Sequence, residues 1–531
     1  MLSVMATITN PVLPGFHPDP CLCRAGDDYY LATSTFEWWP GVAIHHSRDL
    51  VNWRLASRPL DQPRLLNLTG APDSGGIWAP CLTHARGRFW LVYTPVLHQH
   101  GACKDTPNYL TSAPSIDGPW DDPVFLNASG FDPSLFHDDD GRMWVVNMRW
   151  DHRPGRNRFN GILLQEYDPI ARCLTGPIHR IFTGTNLRVT EGPHLYRKDG
   201  WYYLVTAEGG TGWDHAVTVA RSRTITGPYE IHPQNPLLTS KGQPDVVLQK
   251  AGHGSWIEAA DGSWWLAHLT ARPVGPERRC ILGRETALQR LVWGEDGWPR
   301  LAQGGNAPAV EVPGPNLPAH PWPAVPDRVE FNGPDLPSML MTLRTPADPS
   351  WLSLRERPGH LRLRGRESPF SCFRQSVVGR RLTSVRCRAT CEIQAAPEDF
   401  QQMAGLMAFY DTEQWYYLRL THDEERGRVV SLAWADLGAY DEHAGVLSAP
   451  GDGPVRLRFD LDGVSLRFFA DVGQGWVPVG PVLDATKLSD DHFLGSFNFT
   501  GTFATVAAHD LSGRRMPADV AWLSLEDLPI G

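Results

Sequence analysis

Gly26-Asp27-Asp28-Tyr29-Tyr30-Leu31 is a tight turn followed by an aromatic pair and an aliphatic residue, and the same plan returns four times. The copies are Gly87-Arg88-Phe89-Trp90-Leu91, Gly141-Arg142-Met143-Trp144-Val145, Gly200-Trp201-Tyr202-Tyr203-Leu204 and Gly262-Ser263-Trp264-Trp265-Leu266. A glycine turn feeding aromatic residues reads as a hairpin entering a strand. The aliphatic ends lie 60, 54, 59 and 62 residues apart. Five strand-rich repeats of that length predict a five-bladed β-propeller, assigned to residues 1–302.

A second element recurs about thirteen residues before each aliphatic end. It reads Asp19-Pro20-Cys21-Leu22, Ala79-Pro80-Cys81-Leu82, Asp132-Pro133-Ser134-Leu135, Gly192-Pro193-His194-Leu195 and, without its proline, Gly254-Ser255-Trp256-Ile257. In a propeller the first strand of each blade lines the central channel, so equivalent positions converge at one end of it. Those positions hold Asp19, Trp78, Asp132, Glu191 and His253. Taken singly, an Asp before proline is a turn starter and a loop Glu is a solvated side chain. Their shared place in the repeat makes them one pocket. The prolines on either side of Asp19 predict a stiff, extended backbone there. The run Asp138-Asp139-Asp140 reads as a solvated hairpin turn.

Composition sets the class. The chain has 531 residues, 49 Lys+Arg against 59 Asp+Glu and a net charge of -10. No basic run exists, which argues against nucleic acid and anionic membrane. No apolar stretch approaches the ~20 residues of a membrane span. The opening Met1-Leu2-Ser3-Val4-Met5-Ala6-Thr7 lacks the plan of a secretory leader. Nine scattered cysteines without a C-x-x-C pair read as reduced packing residues of a cytoplasmic protein.

Residues 303–326 carry seven prolines and no strand pattern, and are assigned as a linker. Beyond them Val455, Leu457, Phe459 and Leu461 alternate with polar residues up to an Asp462-Gly463 turn. Trp415 to Leu420 likewise turns near Arg426-Gly427 into Val429 to Leu432. Such half-buried hairpins predict a β-sandwich of the concanavalin-like type over residues 327–531.

Glycosidic hydrolysis uses two carboxyl groups, one protonating the leaving oxygen and one activating water or attacking the anomeric carbon. A third acid can raise the pKa of the proton donor. Asp19, Asp132 and Glu191 on three blades across a channel supply such a set, with room for a water and hence for inversion.

Phe16-His17-Pro18-Asp19-Pro20, Ser74-Gly75-Gly76-Ile77-Trp78-Ala79-Pro80, Phe131-Asp132-Pro133-Ser134, Thr190-Glu191-Gly192-Pro193 and Gly283-Arg284-Glu285-Thr286 together resemble glycoside hydrolase family 43. The similarity is to its two-domain β-xylosidases and spans nearly the whole chain. It implies Asp19 as general base, Glu191 as general acid and Asp132 as the group that tunes and orients Glu191. It implies Phe36 and Trp78 as walls of a sugar pocket and Arg284 as a donor to sugar hydroxyls, against a structural ion pair of Arg284 with Glu285 or another acid. His253 is placed at the pocket floor, and Phe503 in Phe499-Thr500-Gly501-Thr502-Phe503 is the expected contribution of the sandwich. No cofactor is expected. Relatives with a central divalent cation such as calcium would hold it near His253, where Lys104 is read as an ammonium replacement. The implied activity is exo-release of xylose from β-1,4-xylo-oligosaccharides. α-L-Arabinofuranosidase, a dual activity and a non-catalytic carbohydrate-binding propeller are the competing readings, and a homo-oligomer is the expected assembly.

Overall fold

The computed structural model describes residues 6–493 and 498–529; Met1 to Met5, read above for a leader, lie outside them. The aromatic repeats form the second strands of five antiparallel blades: Asp28–Thr33, Arg88–Tyr93, Met143–Trp150, Trp201–Glu208 and Trp264–Ala271. Each pairs with an inner strand that follows the second repeated element: Cys21–Ala25, Cys81–Ala85, Ser134–His137, Glu191–Lys198 and Gln249–Glu258. Two further strands complete each blade, and the fourth blade carries one more, Leu238–Thr239. The repeated aromatics are the packing between blades, with Tyr29, Tyr203 and Trp265 all buried.

The ring closes without sharing a strand between first and last blades. Instead the N-terminal segment is laid along the fifth blade. The Asn10 side chain donates to the Leu288 carbonyl and accepts from the Leu288 N–H, both at 2.8 Å, and His17 N donates to the Arg284 carbonyl at 2.9 Å. At the inner strands, Leu22 N donates to Ser255 Oγ, which donates to the Pro20 carbonyl.

The segment 303–326 differs from the expectation of a linker without strands. Glu311–Pro313 pairs antiparallel with Thr7–Thr9 and helps close the propeller. Three residues are too few to show a two-residue period between prolines. Further along, Trp322 lies under the Arg54 guanidinium, 4.0 Å from its ring centre, and His320 N donates to Asp49. The segment is strapped to blade one.

The remaining strands form a sandwich of two antiparallel sheets. Val455–Asp462 pairs with Ser465–Asp471 through the Asp462-Gly463 turn, its alternate residues buried as the pattern predicts. One sheet extends past the domain. Trp38–Trp39, from a loop of blade one, pairs with Met341–Leu343 as its edge strand. An exposed sheet edge is thereby covered by the propeller itself, and a single apolar cluster runs from Phe36, Trp38 and Trp78 to Trp415 and Phe503. Trp38 is therefore an interface residue, stacked on the sandwich, while Trp39 packs back into the core of blades one and two.

Asp138-Asp139-Asp140 does form a turn, but only Asp139 and Asp140 are exposed; Asp138 is buried, accepting from Arg197 and Tyr202 at 2.9 Å each. Among the described residues no helix is long and apolar enough to cross a membrane.

Candidate active site

The inner strands of four blades share one backbone device, at the strand's start or, in blade five, at a bulge within it. Asp19, Asp132 and His253 have φ of 56°, 54° and 49°, and Gly192 has φ of 54° at the matching place in blade four. The extended backbone expected for Asp19 is thus overturned. A left-handed residue turns the chain sharply into the channel strand and aims its side chain at the axis. Such a conformation costs about 1–3 kcal/mol for a residue with a side chain and persists where surrounding contacts over-determine it. Here they do. Asp19 accepts from Ser34 Oγ at 2.6 Å and from Arg284 Nη1 at 2.9 Å. Asp132 accepts the Gly192 N–H at 3.0 Å, reaching from blade three to the residue that follows Glu191.

Asp19, Asp132, Glu191, His253, Arg284, Phe36 and Trp78 all line one cavity of 710 Å³. Around them stand Phe131, Trp150 and Phe159 on one side. The sandwich supplies Asp490, Asp491, Asn498 and Phe499 on the other. Phe36 is itself held at a left-handed φ of 50° and bridges Ile77, so its ring lies 6.4 Å from Trp78 and 6.2 Å from Phe499.

Electrostatics separates the acids. Burial, then the Asp19 charge, pushes Asp132 up to about 8 against the opposing pull of the Gly192 N–H. Burial, then Asp132 and Asp19, holds Glu191 well above the ordinary carboxyl range. Glu191 therefore holds its proton more tightly than an ordinary carboxyl group does. Asp19 has the guanidinium of Arg284 against it. His253 lies with Nδ1 3.9 Å from Asp19 Oδ1, and burial lowers it to about 4, so it stands there as a neutral ring. Gly192 is needed beside it for a second reason: a Cβ there would come within 2.9 Å of the His253 ring.

Arg284 spans the site. Besides Asp19 it donates to Thr211 Oγ1 at 3.0 Å and to the Phe499 carbonyl at 3.2 Å. Of the acids it could pair with, Glu285 is occupied elsewhere, by Arg272 and the Gly15 N–H, and the ion pair Arg284 does form is with Asp19.

Phe503 does not reach the cavity. It is 0% exposed and stacks on Trp38 with ring centres 3.9 Å apart. It opens the strand Phe503–Asp510, paired with Arg381 and Phe409, which turns its side chain into the domain interface. The wall is Phe499, four residues earlier, whose N–H donates to Ser74 Oγ at 2.8 Å. Lys104 lines the same cavity, where it donates to the Gln99 carbonyl and lies 4.8 Å from the Trp150 ring centre.

The donors near His253 do not fit calcium, which takes six to eight oxygen ligands. The carboxylate nearest His253 is already engaged by Ser34 and Arg284. Among the described residues the only close group of three metal-type ligands is Cys21, Cys81 and His194, two thiols and an imidazole.

The family model described as glycosyl hydrolases family 43 matches residues 8–299, and that of the β-xylosidase C-terminal concanavalin A-like domain matches residues 328–526. The chain belongs to glycosyl hydrolase family 43. Xylosidase/arabinosidase 43B of Humicola insolens is 50% identical over 96% of both chains. A β-xylosidase of Bacillus subtilis (strain 168) is 45% identical over 98% of this chain and 99% of its own. The crystal structure of a xylan β-1,4-xylosidase from Bacillus halodurans C-125 superposes with a TM-score of 0.97 at 52% identity, covering 98% of this chain and 100% of that one. The family makes the protein a glycoside hydrolase.

Several residues of this family 43 site carry no signal in the repeat. Thr211 sits in a glycine-rich loop, and Lys250 bridges Asp490 and Asp491 across the domain boundary at 3.4 and 2.6 Å. Phe499 lies in the stretch singled out above, but nothing in the sequence distinguishes it from Phe503.

Proposed function

We propose that the enzyme is an exo-acting β-xylosidase that removes single xylose units from the non-reducing ends of β-1,4-xylo-oligosaccharides with inversion. The observation that carries this reading is the arrangement of the cavity: Asp19, Asp132 and Glu191 from three blades, aromatic rings beside them, and the sandwich closing one side with Phe499. A closed side suits a chain end better than the middle of a polymer.

In the reaction, the Asp19 carboxylate takes a proton from water as that water attacks C1 of the terminal xylose. The bond from C1 to the glycosidic oxygen breaks, and the Glu191 proton passes to that oxygen. The products are α-xylose and a shortened oligosaccharide. Ser34 and Arg284 hold Asp19 in one orientation, so the water is activated on one face only. Asp132 acts through Glu191 in two ways: its bond to Gly192 N fixes the backbone beside it, and as Asp132 itself ionises, on the alkaline side, its charge disfavours ionisation of Glu191. Arg284, with donors directed at Asp19 and Thr211, is placed to grip a sugar hydroxyl, and Phe36, Trp78 and Phe499 to cover the C–H faces of the ring.

Arabinofuranosidase activity is the second reading, favoured by the name of the Humicola insolens relative. Initial rates on p-nitrophenyl β-D-xyloside and p-nitrophenyl α-L-arabinofuranoside decide between them. A higher kcat/KM on the xyloside supports the proposal; a higher value on the arabinofuranoside overturns it. We also place the enzyme in the cytoplasm, a reading supported by nine unpaired thiols and tested by cell fractionation.

A further inference from the structure

One layer below the carboxylates, the residues that follow the repeated proline form a second ring. They are Cys21, Cys81, Ser134 and His194, with Ser255 in the blade without the proline. Cys21 opens the inner strand Cys21–Ala25, two residues beyond Asp19. The two serines are satisfied by neighbouring blades: Ser134 donates to the Pro193 carbonyl at 2.6 Å and Ser255 to the Pro20 carbonyl at 2.9 Å. The other three form a compact group. Cys21, Cys81 and His194 are all buried, and their ligand atoms lie within 4.8 Å of one another.

We propose that Cys21, Cys81 and His194 bind one soft divalent cation of the zinc class in the propeller channel. Tetrahedral zinc with thiolate bonds of about 2.3 Å places its ligand atoms about 3.8 Å apart, within the span of this group. Thiolate and imidazole select such an ion over calcium or magnesium. Charge agrees: a dication held by two thiolates and a neutral imidazole has no net charge, which a buried channel tolerates where an isolated ion would not. Binding expels the two thiol protons and leaves the fourth position to a water. Cys21 Sγ already accepts the Leu82 N–H at 3.3 Å, the kind of bond that supports a thiolate. The ion joins blades one, two and four, and two of its ligands lie two and three residues beyond Asp19 and Glu191. Its role is to tie the strands that carry the base and the acid. No step of the hydrolysis passes through it, and the site stands or falls independently of the xylosidase reading.

The test is metal content. The full chain is produced in zinc-supplemented medium, purified without chelator and analysed by mass spectrometry of its metals. The expected result is one zinc per chain, unchanged in Cys23→Ser, a buried cysteine outside the group. In Cys81→Ser and His194→Gln zinc falls by about tenfold or more. Protein grown with cobalt in place of zinc should show a thiolate-to-cobalt charge-transfer band that Cys81→Ser loses. If Cys81→Ser does not fold, His194→Gln and the wild-type cobalt spectrum carry the test. Wild-type protein with neither zinc nor a cobalt–thiolate band overturns the proposal, as does zinc retained equally by both ligand variants.

Discussion

The two sides of the cavity are built by opposite means. On the propeller side, side chains at or beside matching places in different blades meet at one axis, and in four of the blades a left-handed residue, Asp19, Asp132, Gly192 or His253, stands at that place. That side is charged, and its order comes from hydrogen bonds: Ser34 and Arg284 on Asp19, Gly192 on Asp132. On the sandwich side nothing repeats. Phe499 arrives from a loop bonded to Ser74 and to Arg284, its ring set against Phe36 and Trp78. In the proposed reaction the chemistry rests on the symmetric part of the molecule, and the fit to a chain end on the asymmetric part. The two sides should therefore fail differently when altered.

The largest effects belong to the propeller side. Asp19→Asn and Glu191→Gln should each lower kcat on xylobiose by about 10²–10⁴-fold. The two are distinguished by the leaving group. p-Nitrophenolate departs without a proton, so Glu191→Gln should keep much more activity on p-nitrophenyl xyloside than on xylobiose. Asp19→Asn should lose both alike. Equal losses for the two variants on both substrates would remove the assignment of acid and base.

Asp132→Asn comes next, with kcat reduced by about 10²-fold. Its signature is the pH profile. Removing the Asp132 charge lets Glu191 ionise sooner, so the alkaline limb of kcat/KM moves to lower pH. A limb that stays in place while activity falls would leave Asp132 a structural residue only.

The sandwich side is tested by a pair of phenylalanines. Phe499→Ala should raise KM about two- to tenfold, the equivalent of about 0.5–1.5 kcal/mol for an aromatic contact, with little change in Tm. Phe503→Ala should do the reverse. It removes a fully buried ring from the domain interface, at a cost of about 3–5 kcal/mol in stability, read by calorimetry. If Phe503→Ala alters KM more than Phe499→Ala does, the wall has been assigned to the wrong ring.

This pair also shows where the sequence stops being informative. The five blades, the three acids and His253 could be read from it because a repeat fixes equivalence: one position, once aligned, locates all the others. The alternation around Val455 to Leu461 likewise announced a half-buried hairpin. What could not be read depends on contacts between parts far apart in the chain. Phe499 and Phe503 are chemically identical, and only the strand beginning at Phe503 decides which faces the sugar. Trp38–Trp39 reads as part of a blade until its partner, Met341–Leu343, is known. The φ of 56° at Asp19 runs against the local preference set by Pro20, because Ser34 and Arg284 outweigh it.

The smallest effect is on stability. Burial raises Asp132 from about 4 to about 8, so between those pH values the folded chain binds more protons than the unfolded one. Its stability therefore falls as pH rises from about 4 to about 8. An amide at this position escapes the loss. Asp132→Asn should have a Tm about 2–4 °C above wild type at pH 8 and nearly equal to it at pH 4. A lower Tm at pH 8 would show that the carboxylate is not strained where it sits.

The central claim is that Asp19 and Glu191 act across the channel on opposite faces of the sugar. The most direct measurement is the proton NMR spectrum of xylose released from xylobiose in the first moments of reaction, before the anomers equilibrate. The α-anomer should appear first. A first signal from β-xylose would contradict the account, because it would require a carboxylate, and not water, to attack the anomeric carbon.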